Sequence, residues 1–186
     1  MDAVIADDLG RAHGTALDSQ IVNGSGSGQN MRGFLNVSGI LSVAGTVTSA
    51  ATFIESVWKA YSAVSGTSGY GSANPDEYVV VLHPRRYAWA KGNTTGIPAQ
   101  ALFPGTVVPS AGVPTNLGAG TNEDVVLVVE RSAVVLVGDS PVFRVFESVG
   151  SSTLTVRISS WNQAALVVDN PTAVAKVTGL TPPSGF

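Results

Sequence analysis

The stretch EDVVLVVERSAVVLVGDSPVFRVFESVGSSTLTVRISSWNQAALVVD, residues Glu123–Asp169, decides how this chain is read. Val125–Val129 and Val134–Val137 are short, uninterrupted runs of β-branched and aliphatic residues. Periodicity cannot separate such a run from buried helix. Their length, their valine content and the Gly138-Asp139 punctuation favour strands. A strand apolar at every position buries both faces, so each side of the sheet needs a cover. Thr153–Ser159 differs: apolar and polar residues alternate, as in a strand with one wet face. The block reads as the core of an α+β domain and contains nothing resembling an active centre.

Working outward, the covers are found upstream. Ile5, Leu9, Ala12, Ala16, Leu17 and Ile21 recur at three- and four-residue steps, predicting a helix over Asp2–Val22 that stops at Asn23-Gly24. Ile54, Val57, Trp58, Tyr61 and Val64 mark the buried stripe of a second helix, Thr48–Val64, with a capping box expected at Thr52-x-x-Glu55. Gly33–Val37 reads as a short strand or extended segment and Ile40–Thr46 as a loop or short strand. Tyr78–Leu82 is a buried strand, and Pro84 opens a helix that runs to Lys91 and closes at Gly92. Asn93–Gly120 is rich in Gly, Pro, Thr and Ala, broken by an extended Thr106–Val108. A stretch this long with little regular structure points to a binding or contact loop, or else to a mobile segment. A turn at Asp169-Asn170-Pro171, a last strand at Thr172–Val177 and a Pro/Gly tail close the chain.

Composition narrows the function. The chain has 186 residues, enough for one domain or one domain with a small annex. It is 44% hydrophobic and only 12% charged, about half the charge usual in soluble domains, which suits a subunit that buries much of its surface in an assembly. The net charge is −3 and no basic stripe is present for phosphate contacts. Arg85-Arg86 is the one adjacent basic pair and is expected at a solvated helix start; Glu123-Asp124 is likewise expected in solvent. With no cysteine there is neither a disulfide framework nor a thiolate metal site. No apolar run reaches the ~20 residues of a membrane span, and the first residues lack the basic segment of a signal peptide.

The search for chemistry returns no constellation. His13 lies on the polar side of the first helix and His83 ends a strand, and no Gly-x-Ser-x-Gly elbow occurs. Two histidines without paired spacing do not make a zinc site. Asp7 and Asp8 are adjacent on a helix and point apart. Gly24-Ser25-Gly26-Ser27-Gly28 follows a helix rather than a strand and lacks Gly-Lys-Ser/Thr, so it is a loop and not a phosphate cradle. No catalytic residue, metal or cofactor is expected.

Several segments, taken in order, resemble the HK97-type major capsid proteins of tailed phages. Asp18 is followed by Gly24, Gly26, Gly28 and Gly33 and then Phe34-Leu35. The strand, proline and helix of Val79–Trp89 form a second match, and Arg157–Val168 with Asn170-Pro171-Thr172-Ala173 a third. The resemblance covers nearly the whole chain. It implies an α+β, HK97-like fold with a central sheet flanked by helices, but without the family's N-terminal arm, extended loop and start of the spine helix. Residues 1–35 would then be the end of the spine helix and its Gly-rich loop, 36–150 the axial domain, and 151–186 the closing strands of the peripheral domain. Where the family has Gly-x-Pro-Val after the axial loop, this chain has Gly105-Thr106-Val107-Val108. In members that cross-link covalently, the lysine involved sits on the extended loop, so no cross-link is expected here.

The function implied is mechanical: a capsid subunit of a phage or prophage whose partner is itself, in pentamers and hexamers. Scaffold, protease and portal proteins would be further partners, and packaged DNA would be touched only non-specifically. The axial contact loop is expected at Asn93, Thr94, Thr95, Gly96, Ile97, Pro98, Ala99, Gln100 and Phe103. Two alternatives stand beside this reading: a shell of the same fold serving as a compartment, and a small β-rich binding module that would use the Gly/Thr loops with Trp89 or Trp161.

Overall fold

A computed structural model describes residues 3–67, 71–94, 98–146 and 157–183. Nine strands and four α-helices are present among them. Helix α1 is Ala3–Asn23 and α2 is Ala50–Thr67, with strand β1, Leu41–Ala44, between them. Strand β2 (Tyr78–Leu82), helix α3 (Pro84–Gly92), the single turn α4 (Ala99–Leu102) and strand β3 (Thr106–Pro109) follow. Then come β4 (Asp124–Glu130), β5 (Val134–Gly138), β6 (Val142–Phe146), β7 (Arg157–Trp161), β8 (Ala164–Val168) and β9 (Val174–Leu180).

Five strands form one mixed sheet in the order β1-β9-β4-β2-β3. The inner ladders, β9 with β4 and β4 with β2, are antiparallel; the outer ones, β1 with β9 and β2 with β3, are parallel. Strand β4 is central, and every residue in it is buried. Its alternation splits the core. Val126 and Val128 face Phe53, Val57, Ala60 and Val64 of α2, joined by Val80, Leu82, Trp89 and Phe103. Val125, Leu127 and Val129 face the other way, onto Val22 at the end of α1, Phe34 and Val113. The both-sided cover that the valine run requires is therefore present.

The sheet also crosses the boundaries drawn in the sequence. Strand β9 lies beyond residue 150, yet pairs with β1 and β4, while β7 and β8 belong to separate two-stranded ladders.

Local expectations are corrected in several places. Phe34–Asn36 is a 3-10 turn, not a strand. The α2 capping box is Ser49 with Thr52: the Thr52 amide donates to Ser49 Oγ at 3.2 Å and the Ser49 amide to Thr52 Oγ1 at 3.0 Å. Glu55 instead pairs with Lys59 on the surface. The stripe of α2 centres on Phe53, Val57, Ala60 and Val64, with Ile54, Trp58 and Tyr61 on its flanks. Asn170 caps a short turn over Pro171–Ala173, so the last strand starts at Val174. Gly24 does not supply a left-handed stop; a Cβ there would overlap the carbonyl oxygen of Met31. The positive φ angles fall at Gly26 and Gly28.

The largest correction concerns charge. Arg86 and Asp124 are not in solvent, as their local sequence suggests. They are 0% and 1% exposed, joined at 2.7 Å. Arg86 also donates through Nε to Asp124 at 3.1 Å, and its Nη2 reaches the carbonyl oxygens of Leu180 and Thr181 at 3.1 and 2.7 Å. Arg85 adds a second contact to Asp124 at 3.0 Å. One guanidinium thus ties α3 to the start of β4 and the end of β9. Burial lowers the Arg86 pKa, and the hydrogen bond and charge of Asp124 oppose that shift. Removing one partner of such a pair leaves a buried charge unmatched. Asp124→Ala is expected to cost about 3–5 kcal/mol in chemical denaturation. The double change Arg86→Met with Asp124→Leu should cost clearly less than Asp124→Ala alone.

Candidate assembly surface

The expected axial loop is built partly as anticipated and partly not. Asn93 and Thr94 finish α3 by donating side-chain hydrogen bonds to its last carbonyls, Asn93 Nδ2 to Trp89 at 2.9 Å and Thr94 Oγ1 to Ala90 at 2.7 Å. Pro98 precedes α4 and is exposed. Ala99 and Gln100 lie in α4. Thr95, Gly96 and Ile97 lie outside the described residues. Phe103 is not available for contact: it is 2% exposed, its ring meeting the edge of Phe53 at 5.9 Å. With Trp58 Nε1 donating to the Leu102 carbonyl at 3.2 Å, it pins the loop's C-terminal end to α2.

A surface the sequence did not disclose lies in β5–β8. Strand β5 pairs antiparallel with β8, and β6 with β7. The two ladders are one ribbon with an irregularity between them. Gly138 is opposite Ala164 and Val142 opposite Trp161, so four steps on one strand match three on the other. One extra residue is a bulge, and it resets the alternation. Val135 and Val137 therefore share a face with Val142, Arg144 and Phe146. Opposite them on that face stand Val167, Ala165, Trp161, Ser159 and Arg157. On the other face Val134, Leu166 and Val168 pack against the second core and Ile158 lies beside Ile5, Leu9 and Ala12 of α1, while Leu136, Phe143 and Val145 are 46%, 41% and 44% exposed.

The outward face is apolar and open. Val135 is 53% exposed, Val137 58%, Val167 49% and Trp161 40%. The run Val134–Val137, expected to be buried on both faces, is thus exposed at Val135, Leu136 and Val137, because β5 lies outside the central sheet and pairs among the described residues with β8 alone. The Arg144 guanidinium sits over the Trp161 ring at 5.0 Å. No acidic residue lies on this face within the paired strands.

The remaining candidates are structural. His83 caps α3, its Nδ1 accepting the Arg85 amide at 3.2 Å. Its pKa is lowered, first by burial and then by Arg85, against an opposing pull from Asp124. His13 Nδ1 is 3.5 Å from Ser160 Oγ. Tyr78 is pushed up to about 12 by burial and then by Glu130, and its hydroxyl donates to the Ser72 carbonyl. Among the described residues no group of three or more His, Cys, Asp or Glu is arranged to hold a metal ion, and no helix is long and apolar enough to cross a membrane.

Two measurements check these assignments. Phe103→Ala should lose about 3–5 kcal/mol of stability, as a buried aromatic does, whereas Asn93→Ala should lose no more than about 1.5 kcal/mol. The cap at His83 needs a neutral ring, and its folded pKa lies below the ordinary 6.5. The unfolded chain then binds more protons, so this contribution is complete above that pH and is lost as pH falls through the folded value. The melting temperature should drop between about pH 7 and about pH 5, and His83→Ser, which still caps, should flatten that drop.

Comparison with known proteins places the chain. The sequence profile described as the phage capsid family matches residues 1–179. No curated protein sequence matches. Among solved structures the chain is similar to the virus-like particle from Pyrococcus furiosus, with 14% identity and a TM-score of 0.56 over 77% of this chain and 58% of that one. It is similar to a structure of Mycobacterium phage Che8, at 14% identity and a TM-score of 0.62 over 95% of this chain and 63% of that one. The capsid of an empty GTA particle gives 14% and 0.64, over 97% and 67%. The chain spans less than two thirds of the first two. At this identity the likeness is one of fold, and that fold is the HK97 type. By its match over residues 1–179, the chain belongs to the phage capsid family.

Proposed function

We propose that this chain is the structural subunit of a phage or prophage capsid and works by binding copies of itself. The observation that carries the reading is the outward apolar face of the β5–β8 ribbon, in a chain with only 12% charged residues. Contiguous apolar surface of this kind marks an association site. Family membership and the HK97-type fold supply the kind of assembly.

In this reading the five-stranded sheet with α2, α3 and α4 is the axial part, and α1 with the ribbon is peripheral. That division moves β9 from the peripheral to the axial part, because its ladders lie in that sheet. Asn93–Gln100 is the axial contact loop, anchored but not extended by Phe103. Scaffold, protease and portal proteins are its further partners, the host cytoplasm its place of assembly and the virion its destination. DNA is met without sequence preference, as the net charge of −3 suits. The similarity to the Pyrococcus furiosus virus-like particle favours a second reading, a compartment shell, which the nucleic-acid content of purified particles would separate from the first.

Light scattering and negative-stain microscopy over a concentration series test the proposal. Oligomers above monomer mass are expected, and Val137→Lys should raise the concentration needed for association about tenfold or more. A chain that stays monomeric throughout, or a Val137→Lys variant that associates as well as the parent, would overturn it.

A further inference from the structure

We infer that Asn23 is a latent modification site: the fold holds it unreactive, and it converts irreversibly to aspartate or isoaspartate when the loop after α1 opens. This property is independent of self-association. Asparagine is thermolabile because the backbone nitrogen of the next residue can attack its side-chain carbonyl carbon. Here the Gly24 nitrogen loses its proton and bonds to Asn23 Cγ, the Cγ–Nδ2 bond breaks, and ammonia leaves. Water then opens the five-membered imide at either carbonyl. One opening gives aspartate, and the other gives isoaspartate, with the main chain rerouted through Cγ. Ring closure needs no other reactant. A side chain on the following residue hinders the attack, and glycine has none. Asn23-Gly24 is the one Asn-Gly pair in the chain; every other asparagine is followed by Met, Val, Pro, Thr, Leu, Glu or Gln.

The folded chain closes this route in three ways. Asn23 is the last residue of α1, and a helical backbone does not bring the Gly24 nitrogen in line with Asn23 Cγ. The Gly24 amide donates to the Gln20 carbonyl oxygen at 2.9 Å, so the proton that must leave is already held. Gly33 then lies over that nitrogen: a Cβ on Gly33 would come within 2.5 Å of Gly24 N and 2.8 Å of Asn23 N, which keeps water and base away. The Asn23 side chain itself is exposed, so the reaction waits on the backbone alone. Further bonds hold the segment shut. The Gly33 amide donates to the Gly24 carbonyl oxygen at 2.9 Å, and Asn36 Nδ2 donates to the carbonyl oxygens of Asn23 and Gly24 at 3.3 and 2.9 Å. These contacts must part before the ring can close. The conversion rate therefore reports how often the segment from Gln20 to Asn36 opens.

The product does not fit the closed state. Either acid adds a negative charge to the last turn of α1, where the helix carbonyls are already the negative end. Isoaspartate also lengthens the main chain by one methylene beside Gly24. No space is left there: a Cβ on Gly24 would stand 2.2 Å from the Met31 carbonyl oxygen. A loop that opens and is modified thus stays open. The end of α1, whose Val22 packs with Phe34 in the second core, loses the contacts that fix it. Asn23-Gly24 is in this sense a one-way switch, thrown by opening of the loop.

The test holds the full chain at mildly alkaline pH, folded and in urea, and follows Asn23 by peptide mass mapping and isoaspartyl methyltransferase labelling. In urea Asn23 should convert about tenfold or more faster than in the folded chain, because the unfolded state lacks all of these protections. Asn36→Ala, which removes two of the bonds that close the segment, should speed conversion in the folded chain several-fold. Trypsin then reads the loop. The Arg32–Gly33 bond should be cut faster in converted chains than in unconverted ones, because Gly33 is buried in the closed loop. Equal rates in the folded chain and in urea would overturn the inference, as would conversion of another asparagine ahead of Asn23 in the folded chain. An Asn36→Ala chain that folds and converts no faster would remove this segment as the gate; one that does not fold leaves the comparison with urea to decide. Unchanged resistance to trypsin after conversion would show that the loop closes again, and the switch would not be one-way.

Discussion

Strand β4 can exist only where both of its sides are dry. Val125–Val129 offers no polar face, and Asp124 and Glu130 at its ends are buried as well. The fold meets this demand by giving β4 the middle of the sheet, with antiparallel neighbours on both edges and a core on each face. Helix α2 covers one face with Phe53, Val57, Ala60 and Val64. The end of α1, Phe34 and Val113 cover the other. The covers on its two faces are held by apolar contact, the dominant favourable term in folding, and its edge neighbours β2 and β9 by ladder hydrogen bonds as well. The exception is the Arg86–Asp124 pair, which bridges α3, β4 and the end of β9 with charge.

That exception has a cost and a use. A buried ion pair gains little net stability over apolar residues of the same size, because both ions must first lose their water. Its partners, however, are specific in a way valines are not. Arg86 satisfies Asp124 and two carbonyls at the exit of β9, so the helix, the central strand and the returning strand have one mutual arrangement. Adjacent valines distinguish one register from the next only weakly; a buried guanidinium with fixed acceptors does so strongly.

The ribbon is the opposite case. Strand β5 is a valine-rich run like β4, yet every residue of it after Val134 is exposed. It lies outside the five-stranded sheet and pairs among the described residues with β8 alone, so Val135, Leu136 and Val137 stay exposed.

The order of the elements was legible in the sequence, and in several cases so were their limits. Tyr78–Leu82 and the helix opened by Pro84 read correctly because they depend on local facts: a β-branched run, a missing amide and a fixed φ. The helix of α1 and the strand at β4 were equally plain. What residue patterns could not supply was partnership. Nothing near Arg86 says that Asp124, far along the chain, will meet it inside the protein, and an arginine beside an arginine at a helix start reads as solvated. Nothing in Val134–Val137 says that it will be left half bare, because exposure belongs to the neighbours a strand acquires and not to its own composition. Phe103 looked like part of a contact loop because its surroundings are loop-like, and only its packing on Phe53 shows that it is the loop's anchor. The sequence by itself determined which segments become helix and strand and that one strand must lie at the centre. The tertiary structure alone decided which charges go inside and which apolar face stays open, since both follow from long-range pairing that local chemistry does not encode.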